Sequence, residues 1–219
     1  KKGFSKEAEV IPQFGVNPQI FKKDDVKCLK KELNPENKFT IGFVGRLVRE
    51  KGIIDLLDAV LNAGFDSHLL IIGAGPLKSK IIERTKGAGI SHRVKIIDRV
   101  PSLEIYKYFN CMDCLVLPSL TMPNWKEQFG RVLIEAMACE VPVIGSNSGE
   151  ILNVIGDAGL IFKEGDTNDL SSKINLLINN EDLRIKLGKK GRQRVLEHFT
   201  QKIVAQETYK IYKKILKSV

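Results

Sequence analysis

The chain has 219 residues, of which 43% are hydrophobic and 28% charged, and it carries a formal net charge of +9. These proportions are ordinary for a globular protein, and the length suits one domain or one and a half. No apolar run approaches the roughly 20 residues of a membrane span, and the first residues lack an apolar signal core. We therefore expect a cytoplasmic protein.

The positive charge by itself does not predict nucleic-acid binding. The lysines occur as scattered pairs, and aromatic residues make up only 7% of the chain. They do not alternate with basic side chains as they do on base-stacking surfaces. A solvated surface is the favoured interpretation, and peripheral contact between a basic face and an anionic membrane, at the inner membrane surface, stays open as an alternative.

Residues 1–38 contain one short apolar stretch, Glu9–Pro12, which we interpret as a strand, followed by a lysine-rich segment with helical character. Because they are too few for a domain of their own, we interpret residues 1–38 as a connector.

From Phe39 onward, short apolar strands alternate with amphipathic helical patterns. The predicted strands are Thr40–Val44, His68–Ile72, Val94–Ile97, Cys114–Leu117, Val141–Gly145 and Leu160–Phe162. The predicted helices between them are Ile53–Ala63, Leu77–Lys86, Leu103–Phe109 and Arg131–Cys139. This alternation predicts an α/β fold, a doubly wound parallel sheet with helices on both faces, over residues 39–199.

The rest of the chain is predicted to be helical. Its helical patterns are interrupted at three glycines, Gly165, Gly188 and Gly191. Residues 200–219 place apolar side chains such as Val204 and Ile211 along one stripe, which is typical of an amphipathic helix. We treat this helix as a separate C-terminal element.

Cationic and glycine-rich loops follow the first two predicted strands. In a parallel sheet, ligands bind at the carboxyl ends of the strands, where these loops lie. Arg46 and Lys51 could both reach one diphosphate there, and a solvated turn over residues 49–51 is an equal alternative. Gly73-x-Gly75 follows the second strand, but the third glycine of a dinucleotide-binding motif and the GKS or GKT end of a P-loop are missing.

Two glutamates flank a predicted helix start: Glu127 precedes Gly130, and Glu135 lies inside an otherwise apolar run. The unpaired amides of a helix start favour a phosphate, and carboxylates beside it can bind hydroxyl groups, a combination that describes a nucleotide-sugar. A solvated helix face is the alternative for Glu135. Eight residues of continuous helix would rise about 12 Å, beyond the roughly 5–9.5 Å of hydrolase carboxylates, but Glu127 precedes the helix and the distance is not fixed. A glycosidase pair is disfavoured because one carboxylate on each face of a scissile bond is hard to arrange here.

Taken together in this order, the motifs resemble the donor-binding half of retaining glycosyltransferases, the large family 4 of the GT-B architecture. The residues that carry the resemblance are Gly45-Arg46-Leu47, Lys51-Gly52, Gly73-x-Gly75-Pro76, Pro118-Ser119, Glu127-x-Phe129-Gly130, Glu135-Ala136-Met137-Ala138, Pro142-Val143-Ile144 and Gly156-Asp157-Ala158-Gly159-Leu160. The resemblance implies that residues 39–199 form a Rossmann-like domain that binds a nucleotide-sugar. The whole protein would be a hexosyltransferase, with polysaccharide biosynthesis as its context, that moves the sugar to a glycan, lipid or small-molecule acceptor.

The resemblance also implies residue roles. Arg46 and Lys51 would neutralise the donor diphosphate and, with Glu127 on the sugar hydroxyls, form the catalytic set. Glu135 would bind the ribose. The implied donor-binding residues are Gly45, Arg46, Lys51, Gly75, Phe129, Gly130, Arg131, Val132 and Glu135. Trp125 either lines the sugar pocket or packs internally.

Some positions depart from the family pattern. The hinge motif usually reads Pro-Asn-Gly-Val-Asp, whereas this chain has Pro12-Gln13-Phe14-Gly15-Val16-Asn17. Asp98 stands where a glycine often lies near the base. Because the base contacts are altered, the sequence leaves open whether the donor carries UDP, GDP or ADP.

In this family an amino-terminal half binds the acceptor, and residues 1–38 would be the hinge that leads from it. We therefore expect the acceptor to bind a missing N-terminal domain and this chain alone to transfer no sugar. We expect no metal and no other cofactor, because the chain has no Asp-x-Asp triplet and the lone Cys111-x-x-Cys114 pair lacks the partners of a zinc site. A nucleotide-sugar 2-epimerase and a non-catalytic nucleotide-binding module are the alternatives.

Overall fold

Six parallel strands form one sheet in the computed structural model, which describes residues 8–217. The strands are β1 (Phe39–Val44), β2 (Ser67–Ile72), β3 (Val94–Ile97), β4 (Cys114–Leu117), β5 (Val143–Ser146) and β6 (Leu160–Phe162). Their order across the sheet is β3-β2-β1-β4-β5-β6, and every neighbouring pair is parallel. The predicted α/β fold, a doubly wound parallel sheet, is confirmed.

Nine α-helices lie in the described part of the chain. They are α1 (Lys27–Leu33), α2 (Ile53–Ala63), α3 (Lys78–Gly87), α4 (Ile105–Phe109), α5 (Arg131–Ala138), α6 (Ile151–Ile155), α7 (Thr167–Ile178), α8 (Glu181–His198) and α9 (Gln201–Lys217). Short 3-10 helices at Arg49–Lys51 and Ser91–Arg93 lie in the connections.

The sheet is buried on both faces because its strands carry apolar side chains in both directions. Ile41 and Phe43 of β1 belong to the cluster formed with α2 and α7. Leu70 of β2 and Leu115 of β4 belong to the cluster formed with α5 on the other face. Two-sided burial explains why the strands read as continuous apolar runs. The sheet is thus a firm platform for the loops at its carboxyl edge.

One predicted strand is absent from the described part of the chain, and another begins two residues later than predicted. Glu9–Pro12 forms no strand, and Val10 is 97% exposed; within the described residues, its backbone pairs with no strand of the sheet. The fifth strand begins at Val143 rather than Val141, since Pro142 has no N–H to donate to the ladder. The other predicted strand and helix ends match or shift by one or two residues.

Helices α7 to α9 follow β6, as the sequence predicts. Gly188 and Gly191 do not interrupt them: both lie inside α8, packed against Glu140 and Met137. Within residues 8–217, no helix is both long and apolar enough to cross a lipid bilayer.

Candidate functional site

The carboxyl ends of β1 and β4 form the crevice of this sheet. The chain runs outward from β1 through β2 to β3 on one side, and from β4 through β5 to β6 on the other. In doubly wound sheets, ligands bind where the strand order reverses in this way. The loops that begin at Gly45 and Pro118 start at this point.

Two cavities open in the crevice and share one wall. The larger, of about 460 Å³, extends toward the loops after β2 and β3, and the smaller, of about 270 Å³, extends toward the residues before α5. Val44, Gly45, Arg131 and Val132 line both cavities. The two cavities therefore form one elongated site, with the start of α5 at its middle.

The first turn of α5 offers backbone amides to this middle region. Gly130 precedes the helix with a φ of +80°, a left-handed conformation that favours glycine, and a Cβ there would lie 2.9 Å from a methyl group of Leu117. No side chain caps this helix start. Its unpaired amides can therefore bind an anion, as predicted for a phosphate.

Lys51 and Glu127 form a largely buried ion pair in the smaller cavity. Lys51 Nζ lies 2.6 Å from Glu127 Oε2, and the two side chains are 17% and 10% exposed. Ser119 Oγ donates to the same oxygen at 2.8 Å, while no donor within residues 8–217 bonds to Oε1. The Lys51 ammonium also lies 5.0 Å from the centre of the Trp125 ring, which packs beside Lys51 and is not among the lining residues of either cavity.

Arg46 lines the larger cavity and is much more accessible than Lys51. Its side chain is 65% exposed, and Nη2 lies 3.3 Å from Glu50 Oε1. An ion pair in so much solvent contributes little, so Arg46 can turn toward a ligand at small cost. The two predicted cations thus differ in mobility. The Arg46 guanidinium is exposed and free to move, whereas the Lys51 ammonium is held in place by Glu127.

Glu135 faces the larger cavity from the second turn of α5. Its side chain is 9% exposed, and Oε1 lies 3.0 Å from Arg131 Nε. Burial raises the pKa of the Glu135 carboxyl to about 7, while the nearby Arg131 charge opposes this rise. The alternative of a solvated helix face is therefore excluded. A carboxyl that loses its proton near neutral pH inside a cavity is typical of a functional group.

Gly75 supports the site without lining it. The loops after β1 and β2 pack so closely that a Cβ at Gly73 would lie 1.8 Å from Gly45 O, and one at Gly75 would lie 2.5 Å from Leu47 O. Gly73 and Ala74 line the larger cavity, but Gly75 does not. Direct contact between Gly75 and a ligand stays a prediction.

Phe129 and several residues that the sequence did not single out complete the cavity walls. Phe129, a predicted binding residue, lines the smaller cavity together with Phe14. Arg99 and Ser102, from the loop after β3, line the larger cavity. The rule that identified Arg46, namely its place after a parallel strand, would also have identified Arg99. Phe14 carries no such signal because it precedes the sheet.

Residues 26–194 match the family model described as Glycosyl transferases group 1. The chain belongs to this family. The capsular polysaccharide biosynthesis glycosyltransferase CapM of Staphylococcus aureus is 34% identical over 215 residues, which cover 93% of this chain and 53% of that protein. The N-acetyl-alpha-D-glucosaminyl L-malate synthase of Bacillus anthracis is 31% identical, with 92% of this chain and 52% of that protein covered. The chain spans about half the length of these curated relatives.

Two solved structures share the fold of this group 1 glycosyltransferase domain. Sucrose-phosphate synthase from Thermosynechococcus elongatus matches with a TM-score of 0.79 and 26% identity, over 94% of this chain and 52% of that one. HepE from Anabaena, solved in complex with UDP, matches with a TM-score of 0.82 and 20% identity, over 91% of this chain and 56% of that one. The Rossmann-like, GT-B-type architecture is thereby confirmed.

Proposed function

We propose that this domain binds the nucleoside-diphosphate-sugar donor of a retaining glycosyltransferase. The observation that carries the proposal is the order of groups along the elongated cavity. Glu135 lines one end, Gly45 and the uncapped start of α5 lie in the middle, and the Lys51–Glu127 pair lies at the other end. A nucleotide-sugar has a matching order of nucleoside, diphosphate and sugar.

The nucleoside is proposed to occupy the larger cavity. Ionised Glu135 can accept hydrogen bonds from two ribose hydroxyls, and the apolar side chains of Ile72 and Val100 in the same wall suit a flat base. The sugar would occupy the smaller cavity, where Glu127 Oε1 is available to a hydroxyl group. This orientation places the diphosphate against the amides of α5.

The positive field for the diphosphate would come from the protein itself. Arg46 provides a guanidinium that can bind two phosphate oxygens, Lys51 provides an ammonium group, and the start of α5 carries a partial positive charge. We therefore propose that donor binding requires no divalent metal and no further cofactor.

Chelation is expected to leave donor affinity unchanged. Calorimetric titration of the domain with UDP-glucose should give the same dissociation constant in excess EDTA as in excess Mg²⁺, because in this proposal Arg46, Lys51 and the start of α5 neutralise the diphosphate without a metal. An affinity that disappears in EDTA and returns with Mg²⁺ would contradict this proposal.

The whole protein is proposed to transfer the sugar, with retention of its anomeric configuration, to a glycan, lipid or small-molecule acceptor. The reported relatives are named as a glycosyltransferase and a synthase and are about twice as long as this chain. The acceptor would bind in the additional part of the protein, and the domain alone would bind donor without transferring it. The cytoplasmic location and the contact with the inner membrane surface stay predictions. Release of a free epimerised sugar would instead support the 2-epimerase alternative.

Two single variants test the orientation of the donor. Glu127→Ala should weaken UDP-glucose binding about tenfold or more, because a hydrogen bond to a charged group is worth about 1.5–3 kcal/mol. It should weaken UDP binding less, because UDP loses only the effect of the Lys51 ammonium that Glu127 holds in place. Glu135→Ala should weaken both ligands alike, because both contain the ribose. Calorimetry with each ligand measures the difference, and Glu83→Ala on the exposed face of α3 is the matched control.

The outcome separates the assignments. If Glu127→Ala weakens UDP-glucose and UDP binding equally, the sugar does not bind in the smaller cavity. If the unmodified domain binds none of UDP, GDP, ADP or their sugars, the donor-binding function itself is wrong.

A further inference from the structure

Phe14 is an unexpected part of the proposed donor site. It belongs to the segment that departs from the family's hinge pattern, and it reaches the site from outside the sheet. Its ring is 38% exposed and lines the smaller cavity beside Lys51 and Glu127. What sets this residue apart from other exposed apolar side chains is its place beside the charged groups of the cavity.

The segment that carries Phe14 is fixed to the rest of the domain. The Val16 N–H donates to Phe199 O at 2.9 Å, and the Gln201 N–H donates to Val16 O at 3.1 Å. The Phe129 ring packs edge-on against both Phe14 and Phe199, with ring centres 5.7 and 5.8 Å apart. These contacts hold the Phe14 ring in one place at the cavity wall.

The Phe14 ring faces the guanidinium of Arg131. The guanidinium carbon lies 5.9 Å from the ring centre, within the range of a cation–π contact. The same guanidinium lies 3.0 Å from the Glu135 carboxylate. Arg131 therefore contacts both an aromatic ring and a buried carboxylate, and it lines both cavities. Its side chain is 55% exposed, so the ring is the contact that limits its movement into solvent.

We propose that Phe14 is a positioning residue of the donor site: its ring holds the Arg131 guanidinium against Glu135 and thereby favours the ionised carboxylate. This inference rests on the proposed donor site, in which ionised Glu135 binds the ribose. It also links nucleotide binding to the segment that enters the domain, because displacement of Phe14 would release Arg131 from Glu135.

The charged and titratable groups around Glu135 come from several elements. They are Arg131 on α5, Arg46 after β1, and Asp98 and Arg99 after β3, with Cys139 at the end of α5, beside Arg192 of α8 and Asp24. Burial raises the pKa of the Cys139 thiol to about 12, so it stays neutral. Among the described residues, Arg131 is the one cation within ion-pair distance of Glu135. Burial is the main cause of the raised Glu135 pKa, and Arg131 is the charge that opposes it. Displacing Arg131 should therefore raise this pKa further.

Phe14→Leu is the decisive variant. Leucine keeps an apolar contact with Phe129 but removes the π face, whereas Phe14→Tyr retains it. We expect Phe14→Leu to weaken UDP binding about two- to fivefold at pH 7, the range of a cation–π contact at an exposed site. The pH midpoint of UDP-glucose binding, which has no terminal phosphate to titrate in this range, should also rise by roughly half a pH unit. Phe14→Tyr should match the unmodified domain, as should the control Tyr209→Leu, an exposed aromatic on α9.

The pH dependence of urea unfolding, measured without nucleotide, gives a second readout of the same contact. Phe14→Leu should shift the Glu135 titration upward in this profile too. If the domain binds no nucleotide, the donor assignment fails, but a shifted stability profile still supports the positioning role. If Phe14→Leu leaves both midpoints unchanged, the positioning role is wrong even where affinity falls, because a ring that only fills space alters affinity equally at every pH.

Discussion

Lys51→Ala is expected to destabilise the domain by about 3 kcal/mol and to weaken donor binding as well. The substitution leaves the Glu127 carboxylate, whose side chain is 10% exposed, without a cation. Removing one partner of a buried ion pair costs about 3–5 kcal/mol, and the slight exposure of this pair favours the lower end. Urea unfolding at pH 7 measures the loss, and the double variant Lys51→Ala/Glu127→Gln should recover much of it.

A pair of similar length in solvent is the matched control. Lys190 Nζ lies 2.7 Å from Asp157 Oδ2, with the two side chains 44% and 78% exposed. Because exposed pairs contribute about 0–1 kcal/mol, Lys190→Ala should change stability little. If Lys51→Ala and Lys190→Ala lower the free energy of unfolding equally, solvent screens the Lys51–Glu127 pair, and the pair does not stabilise the cavity.

Arg46→Ala separates binding from folding. Arg46 is 65% exposed, so its removal should leave the free energy of unfolding nearly unchanged. Its contacts to the diphosphate should still be worth about 1.5–3 kcal/mol of affinity. Lys51→Ala, by contrast, should lower both donor affinity and the free energy of unfolding, because Lys51 also forms a buried ion pair with Glu127.

The fold could be predicted largely from the sequence because each buried strand is a short apolar run. β3, β4, β6 and α2 have the bounds that the pattern predicts. The prediction failed at Glu9–Pro12 because an apolar run becomes a strand only where a neighbour can pair with its backbone. No local pattern indicates whether such a neighbour exists.

The sequence predicted those residues of the site that lie directly after a strand or at a helix start. It did not predict the contacts between residues that only tertiary packing brings together. Arg46 and Lys51 follow β1, and Gly130 opens α5, so their meeting at one crevice follows from the topology. The Lys51–Glu127 pair and the Phe14–Arg131 contact join residues far apart in sequence. Their geometry depends on how whole loops pack, and sequence spacing does not contain that information.

Glu135→Gln is expected to raise the free energy of unfolding, relative to the unmodified domain, more at pH 8 than at pH 5. The native pKa of Glu135, about 7, exceeds the ordinary value of 4.5 that applies when the chain is unfolded. The native state therefore holds this proton more tightly, and stability falls as pH rises from about 4.5 through 7. The rise in pKa corresponds to a loss of about 3 kcal/mol in the free energy of unfolding over this pH range. Glutamine does not ionise, so the variant does not undergo this loss.

Urea unfolding of both proteins at pH 5, 6, 7 and 8 checks this prediction, because the pH effects of all other groups cancel in the difference. The gain from Glu135→Gln should grow with pH, whereas Glu83→Gln, on an exposed helix surface, should give a constant difference. If the difference in free energy of unfolding between Glu135→Gln and the unmodified domain is the same at every pH, then burial does not disfavour the ionised Glu135 carboxylate.

Donor affinity should change with pH in the opposite direction. Only the ionised carboxylate accepts hydrogen bonds with both oxygens without donating one, so UDP-glucose binding by the unmodified domain should improve as pH rises through 7. UDP-glucose is the suitable probe because the terminal phosphate of UDP itself titrates near pH 6. Glu135→Gln should bind UDP-glucose more weakly at pH 8 and show little dependence on pH. The same buried carboxylate would then lower stability under the conditions in which it binds ribose, as expected where a binding site requires a charge that the fold disfavours. UDP-glucose affinity of the unmodified domain that does not vary between pH 5.5 and 8.5 would exclude Glu135 as a ribose contact.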